Sequence, residues 1–366
     1  MAGPARRKSS GAQSELSNAQ LAELLAREAE RSPGILVRAF RRAARLAFLW
    51  PTEVVDLIAQ NRPLTELPGV GPFVEKQIRR WIDKPAVLQP KVPAIRREFF
   101  AIADARKLLN SQPGWATLLR GDLQMHTRWS DGSGSIREMA DAGESRGYEY
   151  IAITDHSKGL KIAGGIDEAA LRKQANEIAA ANVLTLRSGG KVSVLRSIEL
   201  NLTPNGEGDM QPAALRRLDI VLGSFHSALR VKHDQTARYL AALRNPCIQI
   251  LGHPRGRIYN YRLGLTADWP RVFAEAARLD KALEIDCYPD RQDLSLSLLK
   301  IAHREGARIS LGTDAHHPWQ LQFIDLGLAA ALSARTPPER IVNFMSASQL
   351  REWVASVRQR STCPRE

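Results

Sequence analysis

The spacing of apolar residues changes near residue 120. Before it, Ala19, Leu21, Leu24, Leu25 and Ala29 recur at the three- and four-residue intervals of an amphipathic helix. A second helix is predicted over Ile35 to Trp50, with Arg38, Arg41, Arg42 and Arg45 among its apolar residues. Pro51 is expected to open a third, because a first helical turn tolerates proline. A fourth helical segment ends in Leu67-Pro68-Gly69-Val70-Gly71-Pro72, and a further helix follows from Phe73 to Ile82. Pro85, Pro90 and Pro93 exclude a helix interior over 84–95, so this stretch reads as a linker. Arg96 to Leu109 reads as a connecting helix.

Beyond residue 120, short apolar runs alternate with helical stretches. The runs are Gly121–His126, Tyr150–His156, Val192–Leu202, Asp219–His226, Ile248–His253, Leu283–Cys287 and Arg308–His316. Alternating strands and helices predict βαβ units and a parallel sheet. Nearly unbroken apolar runs suit strands covered on both faces. The seven runs predict an α/β fold closed into a barrel.

Charge adds a partner class. The net charge is +13, and residues 1–120 carry 20 Lys and Arg against 11 Asp and Glu. So basic a first third points to a polyanion, nucleic acid before a membrane surface, unless it is simply a solvated face. Met1 to Ser10 is basic with no apolar stretch behind it, so 1–16 is expected to be a disordered tail rather than a secretory signal. No apolar run approaches the roughly 18 residues of a membrane span. Cys247, Cys287 and Cys363 show no CxxC spacing, which argues for a reducing, cytoplasmic compartment and against thiolate-held zinc. Nothing in the sequence reads on oligomeric state.

The chemistry lies where the runs end. Of eight histidines, five close a run: His126, His156, His226, His253 and His316. Glu199 lies near the end of the third run, and Asp131 follows the first in Trp129-Ser130-Asp131-Gly132. Asp314 precedes His316 by two, as Gln124 precedes His126, so each pair shares one side of an extended chain. His233 and His303 fall in expected helices and are read as surface residues, and His317 should face away from His316. In a closed parallel barrel the C-terminal strand ends meet at one mouth. Five imidazoles and three carboxylates gathered there suit zinc, manganese or iron. They exceed the needs of one ion, so two or three are expected, with Glu199 a candidate bridge.

Asp122-Leu123-Gln124-Met125-His126-Thr127, Ser130-Asp131-Gly132 and Ile153-Thr154-Asp155-His156-Ser157 resemble successive motifs of the PHP (polymerase and histidinol phosphatase) family. Ser197-Ile198-Glu199-Leu200-Asn201, Gly223-Ser224-Phe225-His226, Gly252-His253-Pro254 and Thr313-Asp314-Ala315-His316 continue the series in order. The resemblance spans about 117–360 and implies a distorted seven-stranded (β/α) barrel with a three-metal site. It implies one ion on His126, Glu199 and Asp314, with Gln124 where a histidine is expected. A second would take Glu199, His226 and His253; a third, Asp131, His156 and His316. An amide is a weaker, harder donor than imidazole, so the first ion is expected to bind loosely or to favour manganese.

The N-terminal region, 17–85, resembles a helix-hairpin-helix domain. Gly69, Val70 and Gly71 would form the hairpin, its glycines permitting positive φ and its amides facing a DNA phosphate. Lys76, Arg79 and Arg80 would add charge for a sequence-independent grip on DNA. Together the two parts resemble the small helical and C-terminal PHP domains of bacterial family X DNA polymerases, joined here by 86–116 without a polymerase palm. The expected reaction is attack of metal-activated water on phosphorus. Its expected substrate is a DNA end, in 3′-5′ exonuclease or 3′-end processing and repair. Arg255 or Arg257 is a candidate phosphate clamp or a plain surface ion pair; Asp155 and Asp286 are candidates to orient ligands, Asp286 otherwise serving as a strand cap. The competing readings are a small-molecule phosphatase of the histidinol-phosphatase type and a non-catalytic DNA-binding protein with structural metals.

Overall fold

The computed structural model describes residues 16–84 and 91–362. The expected basic tail, apart from Leu16, lies outside the described residues, as do residues 85–90 of the expected linker and Cys363. The chain divides into two compact units, Met1–Lys91 and Val92–Glu366.

The first unit holds four α-helices among its described residues: α1 (Asn18–Arg31), α2 (Ile35–Leu46), α3 (Val54–Ala59) and α4 (Pro72–Asp83). Ser17 caps α1 in a reciprocal box with Gln20. The second helix is shorter than expected, passing at Ala47 into a 3-10 turn. Pro51 does not open α3; Glu53 is the residue before its first turn. Here tertiary bonding overrides the local signal: buried Asn18 donates to the Thr52 carbonyl and accepts from the Val54 amide, fixing where the chain re-enters helix. In the glycine turn only Gly69 has positive φ, +79°. Gly71 is extended at φ −93°, so one glycine, not two, needs the freedom. A Cβ on Gly69 would stand 2.6 Å from Leu46 Cδ1, so the turn lies directly on α2.

The second unit begins earlier than expected. The helix Ile102–Asn110 is part of its wall: Arg106 donates to Asp325 at 2.9 Å and to Gln322 at 3.0 Å, and in the short helix Pro113–Ala116 that follows, Trp115 Nε1 donates to the Leu328 carbonyl. The expected connecting helix is thus built into this unit, because its apolar face is buried there.

Among the described residues eight short strands follow: β1 (Gly121–Asp122), β2 (Tyr150–Ile153), β3 (Ser193–Arg196), β4 (Glu199–Asn201), β5 (Leu222–Ser224), β6 (Ile250–Leu251), β7 (Ala282–Asp286) and β8 (Arg308–Gly312). Each is shorter than its apolar run, and the run Val192–Leu202 is broken at Ser197–Ile198 into β3 and β4. The strands form two parallel sheets, β1-β2-β3 and β4-β5-β6-β7-β8. The break lets the chain pass from one to the other, with parallel bridges joining the sheets at His156↔Glu199 and Met125↔Ala315. Hydrogen bonds from Asp219 to Arg196 and from His126 to Ala315 complete the circuit. Helices cover the outside: Ile151, Ile153, Val192 and Val194 pack with Ile136, Met139 and Ile178. Tyr150, Ala152, Leu222, Ile250 and Ala282 pack with Trp353, Val354 and Val357 of the C-terminal helix, opposite the polar ends of the strands.

The seam between β1 and β8 rests on Asn343, which is fully buried. Its amide donates to the carbonyls of Gly121 and Leu311 and accepts from the Leu311 amide at 2.7 Å. Asn343→Ala should leave these groups without partners and destabilise the second unit by about 3 kcal/mol. Urea unfolding against the unsubstituted chain measures this, and a loss below about 1 kcal/mol would show that the seam does not depend on it.

Candidate metal centre

The ionisable residues that close the strands meet in one place. Glu199, at the start of β4, is the hub, and its carboxylate is fully buried. Its Oε1 lies 2.7 Å from His253 Nε2 and 3.2 Å from His226 Nε2. Its Oε2 lies 3.0 Å from His156 Nδ1 and 3.5 Å from His126 Nε2. Asp131 Oδ1 faces His316 at 3.4 Å, His156 at 3.6 Å and His126 at 3.9 Å. Asp314 Oδ1 closes the set, 3.0 Å from His126 Nε2.

Three groups bring their donor atoms within 4.8 Å of one another: His126, Asp131, His156 and His316; His156, Glu199 and His226; and His126, Glu199 and Asp314. His253 joins the second through Glu199. The donors fit divalent cations, because several are buried with no hydrogen bond to satisfy them. His126 Nδ1, His156 Nδ1 and Glu199 Oε2 are such atoms. Buried polar atoms rarely remain unpaired without a reason, and the capacity of these atoms to hold a divalent cation is one. The backbone is strained at two of these positions, His253 at φ 23° and Asp314 at φ 52°. Such strain persists where the surroundings impose a geometry, and it clusters at functional sites.

Electrostatics follow the same arrangement. Burial alone would raise the Glu199 carboxyl, but His156, His226 and His253 hold it well below its usual range. Asp131 is held at about 2 by His316, His126 and His156 against partial burial. His316 is pushed up to about 9, Asp131 and Asp314 outweighing its burial.

The remaining sequence candidates separate. Asp155 is buried and touches no expected ligand side chain. It accepts from the Thr127 amide and hydroxyl, Ser130 Oγ and Gln174 Nε2, at 2.6–2.8 Å. It therefore secures the loop that carries Asp131. Arg255 donates to the carbonyls of Leu263 and Leu265. Arg257 is buried, stacked 3.9 Å from the Phe99 ring centroid, and donates to the carbonyls of Glu98 and Arg291. Neither is turned to the histidines, because backbone carbonyls in their own surroundings occupy their donors. Of the other histidines, His303 lies in a helix, His233 lies in a loop rather than the expected helix, and exposed His317 accepts from the Trp319 amide.

The arginine at the centre is Arg291, in the loop after β7. Its Nη1 lies 2.7 Å from Asp314 Oδ2 and 3.5 Å from Asp286 Oδ2, with its side chain 34% exposed. Arg257 holds the Arg291 carbonyl and so fixes that loop. Glu284, buried on β7, accepts from the His253 amide at 2.7 Å. The terminal amide of Gln124 faces Glu284, and with its nitrogen assigned to that side it donates to both carboxylate oxygens, at 2.6 and 2.9 Å. Burial raises Glu284, and the charge of Asp286 raises it further. Glu284 had a detectable signal, its i, i+2 spacing to Asp286; Arg291 had none, lying five residues beyond β7.

A metal ion needs neutral imidazoles, so His316, protonated in the metal-free protein up to about pH 9, must release its proton. Affinity at its position should therefore rise with pH from 6 to 9 and then level off. Calorimetry at pH 7 in buffers of different ionisation enthalpy should show proton release on Mn²⁺ binding, and its absence would refute this charge state. Asp155→Asn should loosen the Asp131 loop and weaken metal binding by about 10- to 100-fold. An unchanged binding isotherm would show that the loop stands without Asp155.

A PHP domain model matches residues 122–306. The chain is 35% identical over 237 residues to the "DNA polymerase/3'-5' exonuclease PolX" of Bacillus subtilis, an alignment covering 64% of this chain and 41% of that protein. It is 26% identical over 218 residues to a "Probable phosphatase" of Caldicellulosiruptor bescii, covering 57% of this chain and 84% of that one. The histidinol phosphate phosphatase of Lactococcus lactis, solved with zinc, L-histidinol and phosphate, aligns with TM-score 0.40 at 17% identity, over 58% of this chain and 93% of that one. The matched segment carries His126, Asp131, His156, Glu199, His226 and His253, and the chain belongs to the PHP family.

Proposed function

We propose that the chain hydrolyses phosphoester bonds at DNA ends, as a 3′-5′ exonuclease or 3′-end processing enzyme in repair, in the bacterial cytoplasm. The observation that carries the chemistry is the convergence of five imidazoles with Asp131, Glu199 and Asp314 at one mouth. Two or three divalent ions, manganese, zinc or iron, would be held by His126, Glu199 and Asp314; by Glu199, His226 and His253; and by Asp131, His156 and His316. Bound there, such ions supply Lewis acidity that brings the pKa of water from 15.7 towards about 7. Arg291 offers Nε and Nη2 to a non-bridging phosphate oxygen, the role first considered for Arg255 and Arg257. Asp155 and Arg257 act behind the centre by holding the loops of Asp131 and Arg291.

DNA as substrate is supported by the first unit and by the similarity to PolX. Arg38, Arg41, Arg42 and Arg45 of α2 are exposed and line a shallow groove of about 520 Å³. The Gly69–Val70–Gly71 turn lies against the same helix, with Lys76 and Arg80 exposed on α4. Arg79 is partly committed, paired with Glu75 at 2.7 Å, so Lys76 and Arg80 contribute more of the free charge. The contact would be to phosphates and independent of sequence. Small phosphate esters are the competing substrate, favoured by the relatives named probable phosphatases.

The test is a time course with Mn²⁺ and 5′-labelled single-stranded DNA, with histidinol phosphate hydrolysed in parallel. Stepwise shortening of the DNA is expected; intact DNA with phosphate release from the small ester would overturn the DNA reading. His253→Ala should lower hydrolysis by at least about 1,000-fold while the circular dichroism spectrum is kept. A joint Arg38→Ala, Arg42→Ala, Lys76→Ala and Arg80→Ala variant should weaken DNA binding and flatten its salt dependence, with small-ester hydrolysis retained.

A further inference from the structure

The corner formed by His126, Glu199 and Asp314 differs from the rest of the centre in two contacts. Gln124 commits its amide nitrogen to both oxygens of Glu284. Glycine at 312 permits that approach, since a Cβ there would stand 2.1 Å from Glu284 Oε1 and 2.6 Å from Gln124 Cβ. Asp314 is shared: Oδ1 faces His126 at 3.0 Å, while Oδ2 faces the Arg291 guanidinium at 2.7 Å. Among the described residues, the direct ion-pair partners of Asp131 and Glu199, within 4.0 Å, are imidazoles, and no guanidinium approaches either carboxylate so closely.

We propose that this corner is a deliberately weak ion site: the protein retains two divalent ions tightly and exchanges the third, because Arg291 supplies a positive charge there and Gln124, held by Glu284, offers only an amide oxygen where an imidazole would bind more strongly. The inference rests on the metal centre proposed above. An ion bound through Asp314 Oδ1 would stand a few ångströms from the guanidinium on Oδ2. Like charges at that separation repel, and the burial of Asp314 and His126 keeps water from one side of the pair. An amide in place of an imidazole also removes a stronger donor from the same corner. The arrangement keeps Nη1 on Asp314 and leaves Nε and Nη2 for a phosphate oxygen when substrate enters. An exchangeable ion would then make activity depend on free metal concentration at levels that leave the other two positions filled.

The test counts ions rather than turnover. The full chain is loaded with Mn²⁺, passed through gel filtration and analysed for metal, and in parallel titrated with Mn²⁺ under electron paramagnetic resonance detection of the free ion. Two ions should survive gel filtration, with a third appearing only in the titration, at a dissociation constant at least about tenfold weaker. Arg291→Met, which keeps length and removes charge, should tighten the third ion by about tenfold or more. Gln124→His should tighten it independently, and guards against misfolding of the first variant. Three equally retained ions in the unsubstituted chain would overturn the inference, as would a third ion that neither variant tightens. Retention of no ion at all would instead sink the metal centre itself.

Discussion

The second unit is organised around one buried charge. Glu199 is fully buried, and a carboxylate there is tolerated only with compensating partners. Four imidazoles surround it, at 2.7 to 3.5 Å, and each comes from a different strand end. That requirement bears on the fold as well as the chemistry. The break between β3 and β4 sets Glu199 beside His156, where one sheet gives way to the other. The circuit of strands and the assembly of the centre are the same event.

Behind the imidazoles lies a layer of polar groups that hold backbone. Asp155 fixes the loop of Asp131, and Asp122 accepts from the Thr313 amide and hydroxyl, tying β1 to β8 just before Asp314. Asp122 is raised to about 6 by burial, less far than burial alone would take it, because Thr313 and the Gln124 amide bond to its charged form. Arg257 does the same for Arg291 through a carbonyl. These groups touch no substrate, yet they decide where the residues that would do so can stand. Strain at His253 and Asp314 is sustained because that layer leaves their backbone no alternative.

The convergence of these side chains was legible because imidazoles and carboxylates recurred at the ends of apolar runs, and parallel closure sends all such ends to one mouth. Asp286, at the end of β7, was legible for the same reason, though its contact with Arg291 was not. Element boundaries were less legible. Long apolar runs gave short strands, because the polar residues closing each run leave the ladder to reach the centre. Pro51 and Gly71 carried local signals that tertiary bonding overrode, through Asn18 in the first case and an extended backbone in the second.

Sequence by itself determined the class of the fold, the residue types gathered at the strand ends and the family, since each depends on periodicity and on motifs close together in the chain. Only tertiary structure decided which arginine reaches the centre. Arg255 and Arg257 lie two and four residues from His253 but turn to backbone carbonyls, whereas Arg291 arrives from another strand's loop. It likewise decided that Gln124 answers to Glu284, a residue 160 positions away made reachable by Gly312. The physical reason is common to both. A side chain's direction is set by the donors and acceptors that folding places around it, and those come from segments that no local pattern connects.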